Sequence, residues 1–238
     1  NLLRIPSPYN KTMIYGNAIH GVLREYFDAR KRNKDISEGV LIERFKQILS
    51  KYTLKKIDYD ELVSKGEKAL CGYIKHYGEG WHKNVLNEFV VDGISLSLSN
   101  DIKVPIKGKL DKVELYDGYV HVVDYKTGKP KTRNHIEGNV KNGTGDYKRQ
   151  LVFYKLLLDR FQEGKYNMLS GEIDFVEPDD KGRYKKEVFQ INNDEVEELK
   201  EKVTRISNEI LDLSFWDTTC TDNKCEYCTL RKMTGMLE

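Results

Sequence analysis

Gly108-Lys109-Leu110-Asp111, twelve further residues, then Asp124-Tyr125-Lys126-Thr127-Gly128: these two phrases decide how the chain folds. Directly before Asp124 stands Tyr119-Val120-His121-Val122-Val123, a β-branched, apolar run of the kind found in a strand buried on both faces. Asp117-Gly118 just ahead of it is a tight-turn signal, so the strand that carries Asp111 must lie alongside. Side chains alternate along an extended strand. Asp124 and Lys126 therefore project to one side and Tyr125 to the other, and Asp111 can sit next to Asp124.

Upstream, residues 14 to 32 place Ile19, Val22, Leu23, Tyr26 and Phe27 at the helical period and end on Arg30-Lys31-Arg32. Two more helices are expected near 38–51, with Ile42, Phe45, Ile48 and Leu49 as a buried face, and near 58–79. From about residue 85 the period changes. Phe89-Val90-Val91 and Ser95-Leu96-Ser97-Leu98 flank Asp92-Gly93, a hairpin-turn signal; Ile102, Val104 and Ile106 alternate, and Val113 and Leu115 continue the pattern. Downstream, a polar, Gly- and Asn-rich loop spans roughly 129–146, followed by a helix with Leu151, Tyr154, Leu157 and Leu158 at helical spacing. Strands are expected at 171–176 and 184–189, and Asn193 or Asp194 can cap a final helix through about Leu213. The order predicts an α/β fold, a central mixed sheet with helices on both sides. It reads as one domain over 1–238, with a helical region at 1–84, a sheet core at 85–192, and a C-terminal helix with a cysteine-containing tail at 193–238.

The 39% hydrophobic and 33% charged residues exclude global disorder. A net charge of +2, from 40 basic and 38 acidic residues, neither demands nor excludes nucleic acid, because clustering is what matters. No run of about 18 apolar residues and no basic-then-apolar leader is present, so neither a membrane span nor a signal peptide is expected. The first residue is Asn1, inside the phrase Asn1-Leu2-Leu3-Arg4-Ile5-Pro6, so the chain reads as a piece of something longer. Three of the four cysteines, Cys220, Cys225 and Cys228, crowd near the C-terminus, with Cys71 far from them; this suits a metal or cluster site better than a disulfide framework and suggests an intracellular, cytoplasmic setting.

Two carboxylates from neighbouring strands, with a lysine two residues beyond one of them, form a site for a hard divalent cation such as Mg2+ or Mn2+. Phosphodiester hydrolysis uses such parts. The ion neutralises the scissile phosphate and lowers the pKa of a bound water, and the lysine orients that water and stabilises the transition-state charge. D-x-K alone is common in lysine-rich chains, and Asp111 and Asp124 read equally as turn and strand-end residues paired with lysines. The strand–turn–strand context tips the reading toward a nuclease centred on Asp111, Asp124 and Lys126.

With these residues in place the chain resembles the RecB/AddB-like branch of the PD-(D/E)xK nuclease superfamily, found at the C-terminal end of helicase-nucleases. Tyr15-Gly16-Asn17-Ala18-Ile19-His20 is similar to the helical motif whose histidine binds metal. Gly108-Lys109-Leu110-Asp111 is similar to the G-x-x-D strand, Val123-Asp124-Tyr125-Lys126-Thr127-Gly128 to the D-Y-K-T-G motif, and Gln150-Leu151-Val152-Phe153-Tyr154 to the Q-x-x-x-Y helix that contacts DNA. The match runs from about 14 to 230. The resemblance implies a restriction-endonuclease-like core and a metal shell of His20, Asp111, Asp124 and the Tyr125 carbonyl. It further implies a DNA substrate, single-stranded and fed by a helicase motor in the same polypeptide or complex, in recombination and repair. A lone histidine on an apolar helix is commonly a packed core residue; Gly16 one turn earlier, leaving room for close approach, favours a ligand. Gln150 and Tyr154 share a helix face, and Tyr154 reads equally as core packing. In this superfamily an acidic residue at the start of the first strand sometimes joins the site, but Glu88 reads here as an exposed strand-edge glutamate. His76, His82, His121 and His135 fit no motif, although His135 lies in the loop beside the D-Y-K-T-G strand.

Lys129, Lys131, Arg133, Lys141, Lys148 and Arg149 follow the catalytic strand, opposed nearby only by Glu137 and Asp146, and could track a phosphate backbone. Many family members staple their ends with an iron–sulfur cluster, using one cysteine before the histidine motif and three spaced C-x-x-C-x5-C near the C-terminus. Here Cys225-x-x-Cys228, after Asn223-Lys224, matches the first pair, but the third position is Thr234. The usual four-cysteine site cannot assemble; Cys220, Cys225 and Cys228 would form a degenerate one, with zinc as an alternative occupant. Two other readings compete with the nuclease. One is a catalytically inactive DNA-binding module of the same fold, and the other a metal-stabilised interaction domain organised by the C-terminal cysteines.

Overall fold

The computed structural model describes residues 10–78, 80–98, 102–214, 216, 218–222 and 225–235. Asn1 to Pro6, Asn223 and Lys224 lie outside these residues. Three helices come first: α1 (Lys11–Lys31), α2 (Glu38–Leu49) and α3 (Lys56–Tyr77). The Asn10 side chain accepts the Met13 N–H at 2.9 Å and so caps the first turn of α1. Five strands follow, β1 (Val85–Ser97), β2 (Lys103–Leu115), β3 (Val120–Lys126), β4 (Met168–Phe175) and β5 (Lys185–Gln190), side by side in that order. Only the β3–β4 pair is parallel, so the sheet is mixed. A parallel step needs a crossover, supplied here by α4 (Arg133–Glu137) and α5 (Asp146–Leu158). Helices α6 (Asn193–Leu211) and α7 (Glu226–Met233) close the chain.

The pleat divides the core in two. Val120, Val122, Ile173 and Phe175 pack against Leu151 and Leu157 of α5 and Val196 and Leu199 of α6. Val123, Tyr125 and Val176 turn the other way, onto Val22 and Phe27 of α1, Phe45 of α2 and Tyr73 of α3. Strand β3 is therefore covered on both faces, as its unbroken apolar run predicts.

Three expectations change. Asp92-Gly93 makes no hairpin: β1 runs through it as one strand, and its register against β2 shifts between Val91 and Ile94. The same dipeptide chemistry, Gly93 at φ 74 with its N–H bonded to the Asp92 carboxylate, serves a β-bulge as well as a turn. The chain reverses instead around Leu98, whose N–H donates to the Ile102 carbonyl at 2.7 Å. The loop after Gly128 contains α4, too short to show a helical period. The last helix is capped by Asn192, one residue earlier than expected, through a capping box with Glu195.

Candidate active site

The β2–β3 ladder ends at Lys112 opposite Val123, so the next positions outward are Asp111 and Asp124. A side chain takes over from the ladder there: the Tyr125 N–H donates to Asp111 Oδ2 at 2.9 Å. On the other edge of β2, the pairs Asn87–Lys112 and Phe89–Leu110 leave Glu88 facing Asp111. Glu88 adopts φ 50, a left-handed backbone that disfavours a non-glycine residue by about 1 kcal/mol. Its side chain is only 16% exposed, not the open strand-edge glutamate that the sequence suggests. One left-handed residue breaks the pleat, and strict alternation then stops describing where side chains point. Ligand atoms of Glu88, Asp111 and His20 all lie within 4.8 Å of one another.

His20 enters from α1, with Nδ1 at 3.1 Å from Asp111 Oδ1 and its ring edge-to-face with Tyr125. Burial disfavours the imidazolium, but the Asp111 hydrogen bond and the charges of Asp111, Asp124 and Glu88 outweigh it and hold His20 above its usual value. The cluster is rich in acceptors, with Lys109 paired to Glu88 at its edge. The expected role of Gly16 is not needed, because a Cβ there would make only ordinary contact with Thr127 Oγ1, at 3.6 Å.

Asp124 is fully buried beside this group and is tied to α5. The Tyr154 hydroxyl donates to Asp124 Oδ1 at 2.9 Å and accepts from Gln150 Nε2 at 2.6 Å, while Gln150 Oε1 accepts from Lys126 at 2.7 Å. The ring of contacts closes at Lys126 Nζ, 2.7 Å from Asp124 Oδ2 but off the hydrogen-bonding direction, so that buried oxygen has no hydrogen bond. Burial raises the Asp124 carboxyl above the usual range; Lys126 pulls it down and Asp111 pushes it up. Two glycines make this possible. A Cβ on Gly108 would sit 2.5 Å from Leu157 Cδ1, so its absence lets α5 reach β2. Gly128 takes φ 98 and donates its N–H to Glu177 Oε1 at 2.8 Å, turning the chain away just past Lys126.

One imidazole, three carboxylates and a buried carboxylate oxygen without a hydrogen bond fit a hard divalent cation. Asp124 stands outside the tight three-atom group, its carboxylate turned to Tyr154 and Lys126, and Tyr125 is tied to the cluster through its N–H. Glu88 is the residue whose place sequence reasoning misjudged. Tyr147 was missed altogether: Lys126 lies 4.7 Å and Lys131 4.5 Å from its ring centre.

The basic segment is more neutralised than its own sequence suggests. Lys129 pairs with Asp180, Arg133 with Glu137 and Glu187, Lys148 with Glu195, and Arg149 with Asp146. Asp180, Glu187 and Glu195 come from the β4–β5 turn, β5 and α6, which no local reading could supply. His76 stacks on Tyr184, His82 on Tyr116, and His121 bonds Ser170; His135 sits on α4. Among the described residues, Cys220, Cys225 and Cys228 form a separate thiol group that does not include Cys71. No described helix is long and apolar enough to cross a membrane.

The family model described as the PD-(D/E)XK nuclease superfamily matches residues 1–233, nearly the whole chain. The protein belongs to that superfamily. Among solved structures, the crystal structure of SSO0001 is similar at 14% identity and TM-score 0.41, over 95% of this chain and 86% of that one. A Eubacterium rectale protein provisionally labelled an exonuclease is similar at 14% identity and TM-score 0.48, over 96% and 77%. No curated protein matches.

Proposed function

We propose that the chain is a metal-dependent DNA nuclease that hydrolyses phosphodiester bonds, acting as the nuclease module of a helicase-nuclease in recombination and repair. The observation that carries this reading is the convergence at one fork in the sheet: Asp111 beside Asp124 by register, Lys126 on the second, and His20 and Glu88 closing on the first. His20, Glu88, Asp111 and Asp124 would hold Mg2+ or Mn2+. A divalent ion so held supplies charge for the scissile phosphate and lowers the pKa of a bound water.

The chain's own groups do the rest. Lys126 presents an ammonium, steadied by Gln150 and Asp124, to the position where negative charge develops on the phosphate. Tyr154 fixes the Asp124 carboxylate, and Gln150 couples that residue to Lys126, so both stay aligned when substrate enters. Lys131, beside Tyr147 and near Lys126, extends a path for a strand's phosphates. End-labelled single- and double-stranded DNA, incubated with magnesium, manganese or EDTA beside the Lys126→Ala protein, tests the reading. Metal-dependent products that the variant does not make are expected, and their ladder separates exonuclease from endonuclease action. DNA binding without cleavage under any of these conditions would replace the reading with an inactive binding module.

A further inference from the structure

The C-terminal segment carries a second donor group of a different chemical kind. The sulfurs of Cys220, Cys225 and Cys228 all lie within 4.8 Å of one another, and Cys220 Sγ is 3.5 Å from Cys228 Sγ, with none of them in a disulfide. The group is built, not merely crowded. Cys225 is the N-cap of α7, so its sulfur stands at the start of that helix, one turn from Cys228. The loop before it is pinned twice, by the Cys225 N–H on the Asp222 carbonyl at 3.1 Å and by Arg231 on the Thr218 carbonyl at 2.9 Å.

The spacing discriminates between occupants. A single zinc ion with Zn–S bonds of about 2.3 Å places its sulfurs about 3.8 Å apart at the corners of a tetrahedron. The observed group fits that size. A cubane iron–sulfur cluster binds each cysteine through a different iron and spreads the sulfurs wider. The remaining position of the C-x-x-C-x5-C pattern is Thr234, whose hydroxyl is engaged with the Leu230 and Arg231 carbonyls at 3.1 Å each. The iron–sulfur cluster of the family therefore does not fit this chain.

We propose that Cys220, Cys225 and Cys228 hold one zinc ion, which pins the loop after α6 to the first turn of α7. A water or other exogenous ligand takes the fourth position. Trp216, Tyr227 and Leu230 line the cavity beside the sulfurs. Sulfur donors select zinc here, whereas oxygen donors select magnesium or manganese at the sheet, so one chain sorts two metals by ligand softness.

Metal analysis of the full chain, purified without chelator, tests the proposal. About one zinc per chain is expected, retained in Asp111→Ala and lost in Cys225→Ser and Cys228→Ser. After stripping, cobalt(II) added to the wild-type chain should give the intense visible bands of a tetrahedral thiolate complex, a readout that no variant's folding can confound. Iron with labile sulfide and a brown chromophore would overturn the proposal in favour of a cluster. Two thiols missing from the denatured count would overturn it in favour of a Cys220–Cys228 disulfide, and four freely titrating thiols with no cobalt bands would leave no site at all.

Discussion

Strands β3 to β5 carry two carboxylate–lysine pairs, each with a buried carboxylate, on opposite faces of one sheet. On the α5 face stand Asp124 and Lys126, with Asp111, Glu88 and His20 beside them. On the α1–α3 face Asp174, opposite Tyr125 in the ladder, accepts from the Tyr73 hydroxyl and meets Lys186 at 2.8 Å. Lys186 also reaches Glu172 at 3.1 Å, and the buried Lys112 pairs with Glu114 at 2.8 Å. The two neighbourhoods hold the same charges. Glu88, Asp111 and Asp124 stand against Lys109 and Lys126; Glu114, Glu172 and Asp174 stand against Lys112 and Lys186. Asp124 and Asp174 each keep one oxygen without a hydrogen bond, and burial raises both carboxyls. What differs is arrangement. Every carboxylate of the second cluster touches a lysine, Glu114 meeting Lys112 and both Glu172 and Asp174 meeting Lys186. Aromatic rings flank those lysines, Phe27 4.5 Å from Lys112 and Tyr77 4.4 Å from Lys186, as Tyr147 flanks Lys126 in the first. In the first, ligand atoms of Glu88, Asp111 and His20 converge, with Lys109 on Glu88 and the His20 imidazole, rather than a lysine, on Asp111. Convergence of lone pairs, rather than the sum of charges, separates a cation site from a strut.

The comparison breaks most easily at its lysines. Lys126→Ala should lower cleavage by roughly a thousandfold, far beyond what the accompanying fall in melting temperature from an unpaired buried Asp124 accounts for. Cleavage at the wild-type rate would remove Lys126 from the site. Asp174→Ala leaves Lys186 with Glu172 alone and the buried Tyr73 hydroxyl without its acceptor, and should destabilise the chain by about 2 kcal/mol in urea titrations, with cleavage per folded molecule unchanged. A loss of activity without a loss of stability would mean that both faces serve the chemistry. Glu88→Gln keeps the shape and removes one charge, so the metal concentration for half-maximal activity should rise about tenfold; an unchanged requirement would return Glu88 to a purely structural place.

The smallest effect is in alkali. Burial, then the nearby Asp174 charge, pushes the Tyr77 hydroxyl from 10.0 up to about 12. A raised folded value means that the contribution is complete below pH 10 and is lost as pH rises toward 12. Tyr77→Phe should therefore flatten the fall in melting temperature over that window, and an unaltered slope would place the titration elsewhere.

The sheet and the fork that brings Asp111 beside Asp124 were legible because they rest on period and turn chemistry: the apolar run before Asp124, the Asp117-Gly118 reversal, and the alternation that sets Asp124 with Lys126. The mixed sheet and its flanking helices follow the predicted order. Three things were not legible, each because it depends on distant residues or on a single dihedral angle. Asp92-Gly93 offers the same local conformations to a bulge as to a hairpin, and only the partner strand decides. The half-buried position of Glu88 depends on one left-handed residue that no pattern encodes. The counter-charges of Lys129, Arg133 and Lys148 come from elements about 50 residues away, so a basic run in sequence is a mostly paired surface in space. The strut around Asp174 and Lys186 carries no motif, and nothing in the sequence marks it.

That strut has a consequence for how the chain can change over generations. Lys186 serves both Asp174 and the buried Glu172, so replacing Lys186 alone strands two carboxylates, whereas exchanging all three for apolar residues of similar volume is close to neutral. The three positions form an epistatic lock: Lys186 is preserved by the two carboxylates, and the way out passes through a poorly folded ancestor. In diverging lineages they are expected to persist or vanish together, independently of whether the opposite face still cuts.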